Sequence, residues 1–356
     1  MKEERLLRIG VLGAGQIAQA AHFESCVKAR NAELFAICDV ADDLRERMAV
    51  AHGAKTTFAD YDAMLADPEV EAVIIATADA FHVDASIRAL EAGKHVLCEK
   101  PMATSVEDAI RLRDAAARSG KVVHVGHMKR YDAGIEAAKD FIDGEMGQML
   151  SMKAWYCDST HRYAMTDAVQ PAIVASGAAK RPAGDPKADR QRYLMLAHGS
   201  HLVDLAHFLA GDIETIEARF REAYGARCWF VDVGFASGAI GHLDLTVAVR
   251  MDWHEGFEVQ GERGGVIAKT YNPWYFKSSD VEIFHESDGM FRRPLGADGH
   301  FYRRQVEGFA DAVLTGKAVR GATAEDGLSS VRAMAAIVRS VREKRAVTLA
   351  EADGPV

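Results

Sequence analysis

The chain has 356 residues, 49% of them hydrophobic, and a formal net charge of −9. That length predicts about two domains with sizeable cores, and the acidic balance excludes a general nucleic-acid binder, which would carry a basic face. No apolar run is long enough to span a bilayer and the start Met1-Lys2-Glu3-Glu4-Arg5 lacks the form of a signal peptide, so a cytoplasmic protein without a membrane partner is expected.

The first element already carries chemistry. Ile9-Gly10-Val11-Leu12 is an apolar run suited to a buried parallel strand, and it ends in Gly13-Ala14-Gly15-Gln16-Ile17-Ala18, a G-x-G-x-x-A turn that opens a helix. In a dinucleotide-binding βαβ unit, Gly13 permits the tight turn, Gly15 lets the backbone approach the pyrophosphate, and Ala18 lets helix and strand pack closely. The pyrophosphate is then expected on the helix N-terminus at Gln16 and Ile17, where free N–H groups and the dipole favour anions. Glu33 to Cys38 reads as the second strand, with Asp39 at its carboxyl end, where an acid bonds ribose hydroxyls. Val40 and Ala41 follow, so no adjacent cation is expected to take a 2′-phosphate, and the pattern points to NAD rather than NADP. The bland alternative, a solvated turn aspartate, is disfavoured by the glycine turn before it.

Asp42 to Ala51 and Tyr61 to Asp67 read as helices, and Ala72 to Ala76 as a buried strand whose carboxyl edge carries Thr77 and His82. In an open α/β sheet that edge is where ligands bind. A helix containing Ile87 and Leu90 ends at Gly93. The strand His95 to Cys98 leads into Glu99-Lys100-Pro101, and a lysine held at this edge is badly explained as a surface charge. Ser105 and Asp108 form a capping-box variant for a helix running to about Arg118, closed by Gly120. Lys121 to Val125 is the last strand of a first domain, residues 1 to 126.

Residues 127 to 356 have a different texture. Ala133 to Asp143 and Leu196 to Leu209 read as helices, and Gln148 to Cys157, Cys228 to Val231, Gly241 to Val249 and Gly256 to Val259 as strands of a mostly antiparallel sheet. Two amphipathic helices, Phe301 to Thr315 and Ala324 to Lys344, finish the chain. The fold class is α/β followed by α+β. The proline-bearing stretch from Asp158 to Tyr193 has the length of a lid or binding loop; its mildly basic balance allows an anionic substrate group, but a solvated loop is the favoured reading. Five scattered cysteines (Cys26, Cys38, Cys98, Cys157 and Cys228) with no C-x-x-C pair imply neither a disulfide framework nor a thiolate metal site.

The glycine turn, the Ala76-Thr77 edge with His82, and above all Gly93-Lys94-His95-Val96-Leu97-Cys98-Glu99-Lys100-Pro101 resemble the glucose-fructose oxidoreductase / inositol dehydrogenase (Gfo/Idh/MocA) family. The resemblance runs on through Gly199-Ser200-His201-Leu202-Val203-Asp204 and Glu325-Asp326-Gly327-Leu328. It implies an N-terminal Rossmann domain, a C-terminal domain whose large open sheet often mediates homo-oligomers, and a nicotinamide cofactor acting on sugars or cyclitols. Carried over by position, Lys100 touches both the reacting hydroxyl and the nicotinamide, Glu99 and Pro101 set its place, and His201 faces the substrate. A lysine desolvated beside a cationic ring can have its pKa lowered into the range of a useful base. The bland readings are a snorkelling lysine and a core histidine; the motif context favours function for both.

The chain departs from the family where many relatives carry an aspartate four residues before the histidine: Ala197 stands there. His198, His201 and Asp204 step by three along a helix, drifting about 60° per step, so they can share a broad face, and His198 is a candidate relay in place of the acid. Packing of His198 at a domain interface is an equal alternative, and a metal set from these three a poor third. Thr77-Ala78-Asp79 replaces a common Thr-Pro-Asn, and Gly126-His127-Met128-Lys129-Arg130-Tyr131 a Gly-Phe-Asn-Arg-Arg-Phe type segment. Tyr131, Trp155, Tyr156, His161, Tyr163, Trp274 and Tyr275 are candidates for lining a sugar site, although a core role is commoner for any one of them. Three functions compete: an NAD-dependent sugar or cyclitol dehydrogenase; a redox-neutral NAD-dependent glycosidase, acting on an anionic sugar glycoside among others; and a non-catalytic NAD-binding regulator, encouraged only by Ala197.

Overall fold

The computed structural model describes residues 5–160, 168–185, 187–296, 298–317 and 320–356. The apolar runs of the first third become β1 (Leu7–Leu12), β2 (Ala32–Cys38), β3 (Thr56–Phe58), β4 (Ala72–Ile75), β5 (His95–Cys98) and β6 (Val123–Val125). All pair in parallel in the order β3-β2-β1-β4-β5-β6. Parallel strands are buried on both faces, hence runs such as Ala72-Val73-Ile74-Ile75, each 0% exposed. The order reverses between β1 and β4, and such a reversal opens a crevice at the carboxyl ends of the two strands.

Helices α1 (Phe23–Lys28), α2 (Asp42–His52), α3 (Tyr61–Ala66), α4 (His82–Glu91) and α5 (Val106–Ser119) connect the strands. Local chemistry sets their ends: the Ser105 hydroxyl accepts from Asp108 N at 3.2 Å, and Gly120 closes α5 at φ +63°. One feature escapes periodicity. The helix opened at Gln16 is π-helical over Ala18–His22, and the extra residue turns the side chains of Gln19 and His22 inward, both buried.

The chain divides into two units, and the first is discontinuous: Met1–Met128, Gln170–Ala188 and Tyr302–Leu328. Val306, Phe309 and Ala310, on the helix Phe301–Thr315, bury themselves in the same apolar cluster as Leu7, Ile9, Val11, Ile74 and Leu97. Burial of each such large side chain is worth about 1.5–3 kcal/mol.

The second unit comprises Lys129–Val169, Asp189–Phe301 and Ser329–Val356. Its sheet contains β7 (Met149–Ser159), β8 (Ile213–Ala223), β9 (Ala226–Phe235), β10 (Ile240–Val249), β11 (His254–Gly261), β12 (Gly264–Thr270), β13 (Asp280–His285), β14 (Met290–Arg292) and β15 (Val347–Thr348). The order is β14-β13-β12-β11-β7-β10-β9-β8-β15, antiparallel throughout except for the parallel pair β7 and β10. Helix α6 (Ala133–Gly144) packs on β12 and β13. The single helix expected over Leu196 to Leu209 is instead α7 (Arg190–Leu194), a π-turn (Met195–Gly199) and α8 (Ser200–Ala210), which packs on β7 and β10. Among the described residues no helix is long and apolar enough to cross a membrane.

The stretch from Asp158 to Tyr193 is not a solvated loop throughout. Asp158 and Ser159 end β7, 4% and 3% exposed, and Val174 and Ala179 pack on the apolar cluster of the first unit. His161 and Tyr163 lie outside the described residues.

Candidate active site

At the carboxyl ends of β1 and β2 the backbone is shaped for a dinucleotide. Gly13 has φ +95°, and a Cβ there would lie 2.8 Å from Ala76 O, so no other residue closes the turn without strain. A Cβ on Gly15 would meet nothing within 4 Å: the space in front of it is open, as a phosphate approaching the backbone requires. Gln16 is exposed and Ile17 half-buried at the helix start. Asp39 accepts from Ala14 N at 2.7 Å and from Ala41 N at 2.8 Å, which pins its carboxylate beside the turn; each oxygen keeps a lone pair for a ribose hydroxyl. A cation stands near in space, although none is adjacent in sequence. Arg45, six residues on and returned by the turn of α2, donates to Asp39 O at 2.8 Å. It is committed to Asp42 (2.7 Å) and Glu46 (3.3 Å) and so is not offered to a 2′-phosphate.

At the ends of β4 and β5, Glu99 is 5% exposed. Its Oε1 lies 2.8 Å from His22 Nε2, and its Oε2 accepts from Lys100 N at 3.1 Å. Burial pushes this carboxyl up, but the hydrogen bond from His22, with the charges of His22, Lys100 and His82, leaves it below the ordinary carboxylate value. Gly126 packs against Glu99, where a Cβ would come within 3.1 Å of Cα. Lys100, joined to Pro101 by a cis peptide bond, is half-buried above this support.

His82, 1% exposed, faces two carbonyls: Nδ1 lies 2.8 Å from Pro101 O and Nε2 3.2 Å from Thr77 O. Carbonyls only accept, so the two contacts together favour the doubly protonated ring. Burial works against that charge, but Cys98, Asp79 and the Pro101 carbonyl outweigh it and push the pKa up to about 10. The ring thereby ties the edge at Thr77 to the Glu99-Lys100-Pro101 corner. Tyr302 packs edge-on against His22, with ring centroids 6.0 Å apart.

In the second unit a polar cluster surrounds Tyr156 of β7, 3% exposed. Its hydroxyl lies 3.3 Å from His198 Nδ1, and His198 Nε2 lies 3.5 Å from Asp158 Oδ2. His201 stacks on the Tyr156 ring at 5.9 Å and 3°, Trp253 meets it edge-on at 5.0 Å, and Lys129 Nζ sits 4.6 Å from its centroid. Lys129 is paired with buried Glu255, whose carboxyl burial pushes up and Lys129 pulls down, with a net rise.

The structure therefore joins His198 and His201 through Tyr156. Asp204 is engaged elsewhere: Arg130 Nη2 donates to its Oδ1 at 2.7 Å and Arg130 Nε to its Oδ2 at 3.1 Å. The switch from π-turn to α8 alters the angular steps that a uniform helix would give. Trp155 is not brought to this cluster. Adjacent strand residues point to opposite faces, and Trp155 stacks instead on His254, at 5.6 Å. Tyr131 is buried on the turn leading to α6, and Trp274 and Tyr275 sit on a separate turn, Pro273–Tyr275. Among the described residues no three His, Cys, Asp or Glu side chains form a metal set. His22, Gln19, Asp158 and Trp253 were not foreseen; the sole clue was a histidine shortly after the glycine turn.

Comparison with known proteins fits this geometry. The family profile described as "Oxidoreductase family, NAD-binding Rossmann fold" matches residues 7–127, and "Oxidoreductase family, C-terminal alpha/beta domain" matches residues 194–349. The chain belongs to the Gfo/Idh/MocA oxidoreductase family. It is 30% identical to inositol 2-dehydrogenase 2 of Saccharopolyspora erythraea, over 94% of this chain and 93% of that one. It is 27% identical to myo-inositol 2-dehydrogenase of Thermotoga maritima, over 98% and 100%. Its fold matches levoglucosan dehydrogenase solved in complex with NADH, with a TM-score of 0.78, 22% identity, and 97% and 99% of the two chains covered. As a Gfo/Idh/MocA protein it is an NAD-binding oxidoreductase.

Proposed function

We propose that this Gfo/Idh/MocA protein oxidises a ring hydroxyl of a sugar or cyclitol, with Lys100 as the acid/base. The observation that carries the reading is the support of Lys100: a buried Glu99, itself held by His22, fixes the lysine backbone at the same carboxyl edge of the sheet as the open glycine turn. When bound, NAD supplies the hydride acceptor. Lys100 takes the proton of the reacting hydroxyl and returns it in the reverse direction. Thr77, His82 and Pro101 hold the edge on which it stands, and Asp39 holds the adenosine ribose. His201 and His198, both on Tyr156, bond sugar hydroxyls and move protons, and Trp253 offers an apolar face to a ring. The printed names of the two inositol dehydrogenases support a polyol substrate. Inositols, sugars and glycosides are offered with NAD⁺ and the rise in NADH absorbance recorded; no rise with any polyol rejects the reading.

One observation favours a second reaction, redox-neutral glycoside cleavage. Oxidation of an alcohol needs one base, whereas eliminating an aglycone also needs a base for the C–H next to the new ketone and an acid for the leaving group on the carbon beyond it. Two imidazoles on one phenol supply such a pair. Release of a chromogenic aglycone that requires NAD⁺ but leaves no net NADH identifies this reaction. The open face of the second sheet, where Phe230 and Ile267 are 49% and 43% exposed, is the surface through which we expect the chain to self-associate, checked by light scattering.

A further inference from the structure

Residues 170 to 188 come from the middle of the sequence, yet they belong to the nucleotide-binding unit. Three anchors fix their course. At the end of β1, the carboxamide of Gln19 is fully engaged: Nε2 donates to Ala14 O at 2.8 Å and to Val174 O at 2.9 Å, while Oε1 accepts from Val174 N at 2.9 Å. At the end of β2, Ser176 Oγ, on a residue 8% exposed, donates to Asp43 Oδ1 at 2.7 Å in the first turn of α2. At the end of β4, Lys180 Nζ lies 5.2 Å from the centroid of Phe81.

Strands β2, β1 and β4 are neighbours in the sheet. Between Ser176 and Lys180 the chain therefore crosses from the carboxyl end of β2 to that of β4, over the crevice between β1 and β4. That is the place a dinucleotide takes in such a sheet. The crossing is fastened: Val174 and Ala179 pack on the apolar cluster of this unit, and Ser176 Oγ also accepts from Ala178 N at 3.1 Å. Gln19 has no helical duty that calls for this. Its own N–H bonds to Gly15 O at 3.1 Å, and its side chain reaches 155 residues along the sequence to take both backbone groups of one residue.

We propose that residues 174 to 180 are a strap that closes over bound NAD, so that opening of the strap sets how fast the cofactor leaves. The proposal rests on NAD binding by the first unit and not on the sugar or on the role of Lys100. Dissociation then includes an opening step, in which Gln19 lets go of Val174 and Ser176 lets go of Asp43.

The test follows NADH leaving the protein. Wild-type chain is loaded with NADH, mixed with a large excess of NAD⁺ in a stopped-flow instrument, and the loss of bound-NADH fluorescence is timed. We expect wild type to release NADH at least tenfold more slowly than Gln19→Ala, Ser176→Ala or Lys180→Ala. Ser176→Ala and Lys180→Ala remove only a hydroxyl and a surface cation, so they carry the test if Gln19→Ala fails to fold, with thermal unfolding reporting the fold. Release as fast from wild type as from the folded strap variants overturns the proposal.

Discussion

The carboxylate of Asp158, at the end of β7, lies 3.5 Å from Nε2 of His198. On the proposed function, this strand carboxylate stands in for an acid at position 197, where the helix carries Ala197. Asp158→Asn keeps the shape and removes the charge. We expect turnover to fall by roughly 10²-fold with NADH affinity unchanged. The pH dependence of kcat/KM should change shape, because a carboxylate favours a protonated imidazole and an amide does not. An unaltered pH profile would show that Asp158 is merely structural.

Lys100 is the acid/base of the proposed reaction. Lys100→Met should lower kcat by roughly 10²–10⁴-fold while NADH still binds, as measured by fluorescence titration. Lys100→Arg should not restore turnover, since a guanidinium stays charged and cannot act as a base. A variant that loses NADH binding in proportion to activity would place Lys100 in cofactor binding instead.

The two glycines of the turn should fail in different ways. Gly13→Ala sets a Cβ 2.8 Å from Ala76 O at φ +95°, which should cost about 1–3 kcal/mol in chemical denaturation. Gly15→Ala meets nothing within 4 Å, so stability should hold and only NAD affinity should drop. Equal stability losses would refute the assignment of the open space to the phosphate.

Stability should fall at both ends of the pH scale for separate reasons. Glu99 has a folded pKa below its ordinary 4.5, so its contribution is present above that value and is lost as pH falls through the lowered one. His82 is raised from 6.5 to about 10, so its contribution is complete below 6.5 and disappears as pH rises through about 10. Melting temperature against pH should lose its acid limb in Glu99→Gln and its alkaline limb in His82→Asn. Parallel curves for wild type and variants would argue against both.

The buried pair Lys129 and Glu255, with side chains 7% and 2% exposed, gives a prediction about the fold of the second unit. Removing either partner alone strands a buried charge and should cost about 3–5 kcal/mol. Replacing both by methionine should cost much less, because no charge is then left uncompensated. Denaturant unfolding of the two single variants and the double variant decides it.

Five of the six strands of the first sheet, the caps of α5 and the glycine turn were legible in the sequence, because buried parallel strands and tight turns leave local signatures in apolar runs, glycines and capping side chains; β3 (Thr56–Phe58), short and only half-buried, leaves none. The Glu99-Lys100-Pro101 corner was legible as well, since its residues are contiguous. What decided the remainder was contact between residues far apart. Gln19 meets Val174 across 155 positions and Glu99 meets His22 across 77, and neither partner marks the other in sequence. The π-turns at Ala18–His22 and Met195–Gly199 shift side chains by an extra residue that periodicity does not count. They turn Gln19 and His22 inward and bring His198 to Tyr156, while Asp204 goes to Arg130. The pleat separates Trp155 from Tyr156, and only the packing of β7 determines which of the two faces the histidines.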